Sequence, residues 1–416
     1  MPTSPAALLQ IAPSFAANPT AGAQCRNLYL GERLARHMPV THVGFLAADY
    51  SGPPPERPNG SLPDHHFVAV PRVGDYRMTD LVRGAVRPVP FSILNYTRAE
   101  MRGAICRLLQ ERRFDIVLLE GVHLGEYLPL LRGSGQRPAV VCDWHNIESE
   151  ILWRYSQGAA GWARRIYARR AAQKLESYER SFVNHCDMHV TVSDRDRDTL
   201  VHRYGAQAPV MVVENGVPFD YFSSPATAGE VRQGPRFRVV FVGSMDYHAN
   251  IEAVTNFAKE VWPGLRAAAP HIVFTIVGRR PVAAVRALAG DSGVEVTGTV
   301  PDVRPYYGEA IAAVIPLRVG GGTRIKILEA MAAGVPVVSS SLGAEGLQVV
   351  PGEHYLLADS SAQMLAALQD LLGNPAMAGR LAAAARDLVR RRHDWAFLGD
   401  QLARHLLALC GAGRPE

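Results

Sequence analysis

The chain has 416 residues, of which 48% are hydrophobic and 20% charged, and it carries a formal net charge of +5. This length exceeds one ordinary hydrophobic core and favours two domains, while the composition excludes a disordered or fibrous protein. The N-terminal stretch lacks the cationic segment of a secretory signal, and no run approaches the ~18 apolar residues of a membrane-spanning helix. We therefore expect a cytoplasmic protein.

Short apolar runs rich in β-branched residues alternate with helical patterns along almost the whole chain. In the first half we predict strands at ALLQIA, THVGFLA, HHFVAV, FDIVLLEG, PAVVCDW, MHVTVS and PVMVVENG, and helices around 22–37, 97–112 and 147–182. In the second half we predict strands at FRVVFVG, HIVFTIVG, VEVTG, AAVIPL and PVVSSS, and helices that begin near Asn250, Pro281, Val303 and Thr323. Such continuous apolar strands are buried on both faces by helices, so each half is predicted to be a doubly wound α/β domain with a parallel sheet.

The stretch PFDYFSSPATAGEVRQGPR separates the halves, is rich in Pro, Ser, Gly and Ala, and lacks periodicity. It indicates a linker. We therefore predict an N-terminal domain at 1–217, a linker at 218–236, a C-terminal domain at 237–392 and an amphipathic helix within 393–416. Ligands of such sheets bind beyond the carboxyl ends of the strands, and two facing domains would bind theirs in the cleft between them.

The segment PLRVGGGTRIKILEAMAAGVPVV follows the strand AAVIPL and is the strongest candidate for a binding site. The glycines Gly320–Gly322 allow close approach of a ligand to the backbone, and Thr323 suits the N-cap of a helix whose free N–H groups attract an anion. Arg324 and Lys326 add positive charge, which suits a diphosphate, and Glu329 could accept hydrogen bonds from ribose or sugar hydroxyls. The alternative is a glycine-rich turn with a solvated cationic first turn and a structural glutamate.

This segment, with FVGSMDYHANIEAVTNF, FTIVG, VEVTGTVPDVRPYY and ENGVPFDYF, resembles the donor domain of retaining GT-B glycosyltransferases of glycosyltransferase family 4. NPTAGAQCR and DWHNIESEILWRY resemble the N-terminal domain of that family more loosely. The resemblance implies two Rossmann-like domains that face each other across a cleft, and a C-terminal helix within 393–416 that packs back toward the N-terminal domain. It also implies transfer of a hexosyl unit from a nucleotide-diphosphosugar to a hydroxyl of a glycan, lipid-linked saccharide or small molecule, in cell-surface polysaccharide or glycoconjugate biosynthesis.

The family carries an E-x7-E signature in which the second glutamate binds the ribose, and Glu329 matches that glutamate. Gly321 occupies the position of the first glutamate, near the donor sugar, so the chain departs from the full signature. The departure affects the contacts to the donor sugar and leaves the nucleotide contacts intact.

Family members often carry an Arg and a Lys after the first strand of the donor domain, whereas this chain offers Gly243 and Ser244 there. Arg324 and Lys326 are therefore predicted to stabilise the charge that develops on the leaving diphosphate. Backbone groups from Thr297 to Val300 are predicted to contact the base, with an ordinary strand end as the alternative.

In the N-terminal half, Gly22 precedes an amphipathic helix and either meets the phosphates or sugar or forms a plain tight turn. His145 follows the strand PAVVCDW, and the resemblance places a histidine on this side of the cleft near the donor sugar and acceptor. There it would orient a hydroxyl or exchange a proton, unless it is a structural histidine. Glu120 and His123 follow the strand FDIVLLEG and are candidates for the acceptor pocket.

The sequence shows no Asp-x-Asp at a strand end, and SDRDRD reads as the start of a helix. We therefore predict no essential metal and no cofactor, the nucleotide sugar being a substrate. Two other functions stay open. One is a GT-B nucleotide-sugar epimerase or hydrolase, and the other is a non-catalytic sugar-nucleotide-binding partner in a polysaccharide-assembly complex, which the glycine at position 321 suggests.

The segment 154–180 holds seven basic residues and two acidic ones, Glu176 and Glu179, so that seven minus two gives a formal charge of +5. The basic residues are Arg154, Arg164, Arg165, Arg169, Arg170, Lys174 and Arg180. The apolar residues Trp162, Ile166, Leu175, Tyr178 and Phe182 recur among them at helical spacing. The segment is either a crossover helix packed on the N-terminal sheet or a cationic face that docks on anionic lipid or a lipid-diphosphate acceptor at the inner face of the membrane. No nucleic-acid recognition motif accompanies the charge.

Overall fold

A computed structural model describes residues 6–15, 22–46, 64–72, 84, 88–158, 161–224, 237–290, 293–319 and 325–411. The chain forms two compact units. The first comprises Met1–Glu214 with Leu398–Glu416, and the second comprises Asn215–Phe397.

The first unit is built on a sheet of seven parallel strands in the order β3-β2-β1-β4-β5-β6-β7. The strands are β1 Leu8–Ala12, β2 Val40–Phe45, β3 His65–Val70, β4 Ile116–Glu120, β5 Ala139–Trp144, β6 Met188–Thr191 and β7 Val210–Val212. Its described α-helices of five or more residues are Gly22–Leu34, Ala99–Glu111, Leu128–Arg132, Glu148–Gly158, Trp162–Phe182 and Asp194–Asp198. Each strand predicted in this half is present.

The second unit has a six-stranded parallel sheet in the order β10-β9-β8-β11-β12-β13. Its strands are β8 Arg238–Val242, β9 Val273–Val277, β10 Val294–Gly298, β11 Ala310–Ile315, β12 Val337–Ser339 and β13 Leu356–Leu357. Its described α-helices of seven or more residues are His248–Glu260, Trp262–Ala268, Ile325–Ala332, Ser361–Gly373 and Pro375–Arg392. The prediction of two doubly wound parallel α/β domains is confirmed.

Burial explains why these apolar runs become central strands. Every residue of β1, β4 and β5 is buried, which requires helices on both faces of the sheet. In each sheet the strand order reverses at one place, between β1 and β4 in the first and between β8 and β11 in the second. Crevices for ligands form at such switch points, beyond the carboxyl ends of the strands.

The prediction of one continuous helix over 147–182 is wrong. The structure has two helices there, Glu148–Gly158 and Trp162–Phe182. Gly161 precedes the second helix with a φ of 86°, a left-handed conformation that glycine adopts without strain. The first helix ends at Gly158, and Gly161 starts the second.

The C-terminal helix spans Trp395–Gly411, and its residues from Leu398 onward belong to the first unit. Asp400 on this helix accepts hydrogen bonds from Nε and Nη2 of Arg33 at 2.6 and 2.5 Å. Of the helices in the described ranges, none is both long enough and apolar enough to cross a membrane.

Candidate functional site

Gln10 is the polar residue within the apolar strand β1, and its side chain is fully buried at the switch point of the first sheet. Its Nε2 donates to Glu120 Oε1 at 2.6 Å and to the carbonyl of Asn27 at 2.9 Å. Burial lowers the pKa of His42 to about 4, so this ring is neutral and its Nδ1 lies 3.0 Å from Gln10 Oε1. Gln10 therefore holds the Glu120 carboxylate at the end of β4.

Glu120 and His145 form the centre of the polar cluster in the first unit. The Nε2 atom of His145 lies 2.8 Å from Glu120 Oε2, whereas it lies 4.0 Å from Asp143 Oδ2. Burial lowers the pKa of His145, but the hydrogen bond to Glu120 and the charges of Asp143 and Glu120 outweigh it and raise the pKa above its ordinary value. The arrangement favours an imidazolium, whose ring nitrogens can donate hydrogen bonds.

A buried ion pair holds the end of β5, the strand that His145 directly follows. Arg26 and Asp143 are both fully buried, and the guanidinium binds the carboxylate through two hydrogen bonds of 2.7 and 3.0 Å. A third donor of Arg26 reaches the carbonyl of Glu214 at 3.1 Å. The pair ties the Gly22–Leu34 helix to the end of β5 and so positions His145 two residues later.

The other predicted residues of this half are placed as follows. Gly22 is exposed at the first position of its helix. His123 is partly buried, and its ring lies 5.2 Å from that of Tyr96. Burial lowers the pKa of His123, and the charge of His145 contributes in the same direction. His123 and His145 follow strands that pair with each other in the sheet, β4 and β5.

One oxygen or nitrogen atom from each of Glu120, Asp143 and His145 lies within 4.8 Å of the others, a grouping that can in principle hold a metal ion. Both oxygens of Asp143, however, accept from the Arg26 guanidinium. A cation bound there would lie beside a buried positive charge. The donor set therefore fits a hydrogen-bonded ionic network better than a metal site.

Lys326 lies at the switch point of the second sheet, on the Ile325–Ala332 helix that follows β11. Its Nζ donates to Asn250 Oδ1 at 2.7 Å and lies 4.3 Å from the centre of the Phe241 ring. The Asn250 amide nitrogen donates to the carbonyl of Ser244 at 2.9 Å. A Cβ atom at Gly243 would lie 2.9 Å from Lys326 Nζ, so the glycine keeps space open beside the ammonium group.

Arg279 adds a second cation at this edge. Its Nε donates to Ser244 Oγ at 2.9 Å, and Ser244 Oγ in turn donates to Asp246 at 2.6 Å. The approach of the two loops depends on Gly278, because a Cβ atom there would lie 1.7 Å from the carbonyl oxygen of Gly243. Arg279 was not among the predicted residues, although it is a cation that directly follows the strand FTIVG, where ligands of such sheets bind.

Glu329 is partly buried one turn beyond Lys326, and the Tyr307 hydroxyl lies 3.5 Å from its Oε2. Burial raises the pKa of Glu329 to about 7, although the charge of Lys326 and the hydrogen bond from Tyr307 oppose the rise. The side chain is thus a carboxyl group that exchanges between neutral and ionised forms near neutral pH.

Thr297 and Val300 are partly buried at the end of β10, next to the Gly278 turn, where Gly278 N donates to the carbonyl of Gly298 at 3.2 Å. The remaining predicted residues of the glycine segment, Gly320, Gly321, Gly322, Thr323 and Arg324, lie outside the described residues. Their roles stay predictions.

The chain has two doubly wound α/β units, each with a parallel sheet and with polar groups at the switch point of that sheet. This architecture is typical of the GT-B class of α/β proteins. Residues 236–374 match the family model described as Glycosyl transferases group 1, and residues 22–221 match the model described as Glycosyltransferase Family 4. The chain belongs to the GT-B glycosyltransferases of family 4.

Among curated proteins, the chain is similar to the phosphatidyl-myo-inositol mannosyltransferase of Mycobacterium leprae, with 32% identity over 222 residues, or 52% of this chain and 57% of the relative. The chain spans 57% to 60% of the length of the first curated relatives that it matches.

Two solved structures show the likeness of fold. Sucrose-phosphate synthase from Thermosynechococcus elongatus has a TM-score of 0.73 at 19% identity, with 98% of this chain and 100% of that chain covered. The Anabaena protein HepE in complex with UDP and glucose has a TM-score of 0.65 at 14% identity, with 96% of this chain and 99% of that chain covered.

Proposed function

We propose that the protein is a retaining glycosyltransferase. It transfers a hexosyl unit from a nucleotide-diphosphosugar to a hydroxyl of a glycan, lipid-linked saccharide or small molecule, in cell-surface polysaccharide or glycoconjugate biosynthesis. Membership of family 4 and the similarity to a relative named as a mannosyltransferase support the transfer of a sugar.

The observation that carries the proposal is the position of Lys326. Its ammonium group lies at the carboxyl edge of the second sheet, beside a glycine that leaves space open and an asparagine that orients it. Arg279 lies on the neighbouring loop and contacts Ser244. Two cations at a switch point suit a diphosphate, because this is where open α/β sheets bind nucleotides.

In the proposed reaction the acceptor hydroxyl attacks the anomeric carbon from the face that the diphosphate leaves. The C–O bond to the diphosphate breaks, and a phosphate oxygen takes the acceptor proton. Lys326 stabilises the negative charge that grows on the leaving group. Glu329 binds the ribose hydroxyls, and the predicted contacts of Gly320–Arg324 would complete the diphosphate site.

His145 acts on the acceptor side of this scheme. Its contact with Glu120 raises its pKa and fixes the ring, so the second ring nitrogen is left to orient a sugar or acceptor hydroxyl. Glu120 is a positioning residue in this scheme, because it acts through His145.

The test is a turnover assay with a panel of UDP-, GDP- and ADP-sugars, with and without a candidate acceptor. The proposal predicts release of nucleoside diphosphate that depends on the acceptor, and a product with the anomeric configuration of the donor. Lys326→Met should lower kcat/KM at least 100-fold, whereas Lys259→Met, the same change in the same unit, should leave it within twofold. Donor consumption that is equally fast without acceptor, or binding without turnover for every donor and acceptor, would refute the proposal.

A further inference from the structure

The helices Glu148–Gly158 and Trp162–Phe182 form a hairpin in the first unit. Ser149 Oγ donates to Glu179 Oε2 at 2.5 Å, and the Tyr204 hydroxyl donates to the same oxygen at 2.8 Å. Ser149 begins the first helix and Glu179 lies near the end of the second, so the helices run antiparallel and are anchored at one end. We call this end the base and residues 151–158 and 161–170 the tip.

The hairpin buries small residues and exposes large ones. Ser156, Ala168 and Ala172 are no more than 3% exposed, whereas Trp162 is 77% and Tyr167 65% exposed. Six of the thirteen large apolar side chains that are exposed in the described chain lie on the tip: Ile151, Trp153, Tyr155, Trp162, Ile166 and Tyr167. Single exposed apolar residues are ordinary, but a cluster of this kind marks an interaction surface.

The basic segment 154–180 was expected to be either a packed crossover helix or an exposed cationic docking face. In the structure, one end of the segment fits the first interpretation and the other end fits the second. Leu175 and Phe182 are buried against the core of the first unit, as a crossover helix requires. The prediction that Trp162 and Ile166 pack on the N-terminal sheet is wrong, because both side chains are exposed.

The charge of the tip has one sign. Residues 151–170 contain no Asp or Glu and five arginines, all exposed: Arg154, Arg164, Arg165, Arg169 and Arg170. The acids near the base face arginines, and one of these, Arg154 at 3.9 Å from Glu150, belongs to the tip. Glu150 lies 3.0 Å from Arg195, and Glu176 lies 2.8 Å from Arg203.

We propose that the hairpin tip docks on the surface of an anionic lipid bilayer. Aromatic rings favour the interface between headgroups and acyl chains, and arginines bind the phosphates that surround them. A second copy of the chain fits the tip poorly, because self-association would bring five arginines against five. Membrane docking is a separate property from the proposed sugar transfer, and the docking proposal does not depend on that reaction.

The full chain should bind phosphatidylcholine vesicles that contain 30 mol% phosphatidylglycerol and should remain in the supernatant with vesicles of phosphatidylcholine alone. Binding should weaken as the salt concentration rises. Arg164→Gln/Arg170→Gln should lower the partition coefficient about 25-fold, at roughly fivefold for each arginine. Trp162→Ser should lower it about tenfold through the loss of buried apolar area.

The matched control is Arg112→Gln/Arg113→Gln, which removes the same charge from two exposed positions of the first unit outside the hairpin. It should change the partition coefficient by less than twofold. Circular dichroism and thermal unfolding verify that each variant is folded. The proposal is overturned by equal binding to both kinds of vesicle, by a control variant that loses as much affinity as the tip variant, or by self-association through Trp162 without vesicle binding.

Discussion

The affinity for a nucleotide sugar is expected to rise with pH, because Glu329 has a pKa of about 7 in the free protein. Ribose hydroxyls donate to a carboxylate, so the ionised form binds them better. With a pKa of about 7, the ionised fraction is about 9% at pH 6 and about 91% at pH 8. The dissociation constant should therefore fall about tenfold between these pH values, which corresponds to about 1.4 kcal/mol.

Isothermal titration calorimetry with an intact nucleotide sugar measures this dependence, since its diphosphate diester does not titrate in this range. Glu329→Gln keeps the shape of the side chain and removes the titration, so its dissociation constant should lack this dependence. An unchanged pH dependence in the variant, or an affinity that falls from pH 6 to pH 8 in the unmodified chain, would refute the assignment.

The raised pKa of Glu329 also affects the stability of the fold. The affinity for the nucleotide sugar should rise with pH, whereas the contribution of Glu329 to stability should fall. A carboxyl group whose pKa in the folded chain exceeds its ordinary value of 4.5 keeps its proton better in the folded state. Its contribution to the free energy of unfolding is therefore present at low pH and is lost as the pH rises from about 4.5 through 7. Comparing the denaturant unfolding of the unmodified chain and Glu329→Gln at pH 5 and pH 8 measures that loss independently of any ligand.

Three further outcomes are expected. Arg26→Met leaves Asp143 buried without its partner and should lower the free energy of unfolding by about 3–5 kcal/mol, whereas the double variant Arg26→Met/Asp143→Leu should recover most of the loss in denaturant titrations. Glu120→Gln removes the charge that favours the imidazolium, so NMR titration should show a lower pKa of His145, while Glu126→Gln in the same segment leaves that pKa unchanged. Turnover should be unaffected by EDTA and by added Mg²⁺ or Mn²⁺, and a loss that divalent ions restore would contradict the metal-independent scheme.

The architecture was predictable because apolar runs indicate buried strands, and twelve of the thirteen strands in the described part of the chain are mostly buried or partly buried apolar runs. β13 was not predicted, because a strand of two residues is too short to show a hydrophobic pattern. The interruption of the predicted 147–182 helix was not predicted, because the segments on both sides of Gly161 have helical patterns of their own.

The candidate site was predictable where a polar residue follows a strand, as with Glu120 and His145. It was not predictable for Arg26, because an arginine on an amphipathic helix is ordinarily exposed and only tertiary packing brings it against Asp143. The distance between Lys326 and Asn250 is likewise a product of the fold, since 76 residues separate the two in sequence.

A crystal structure of the protein with an intact nucleotide sugar tests the central claim most directly. The account predicts a diphosphate within hydrogen-bonding distance of Lys326 Nζ and ribose hydroxyls on the Glu329 carboxylate. A nucleotide bound with its diphosphate away from Lys326, or with its ribose on other side chains, would contradict it.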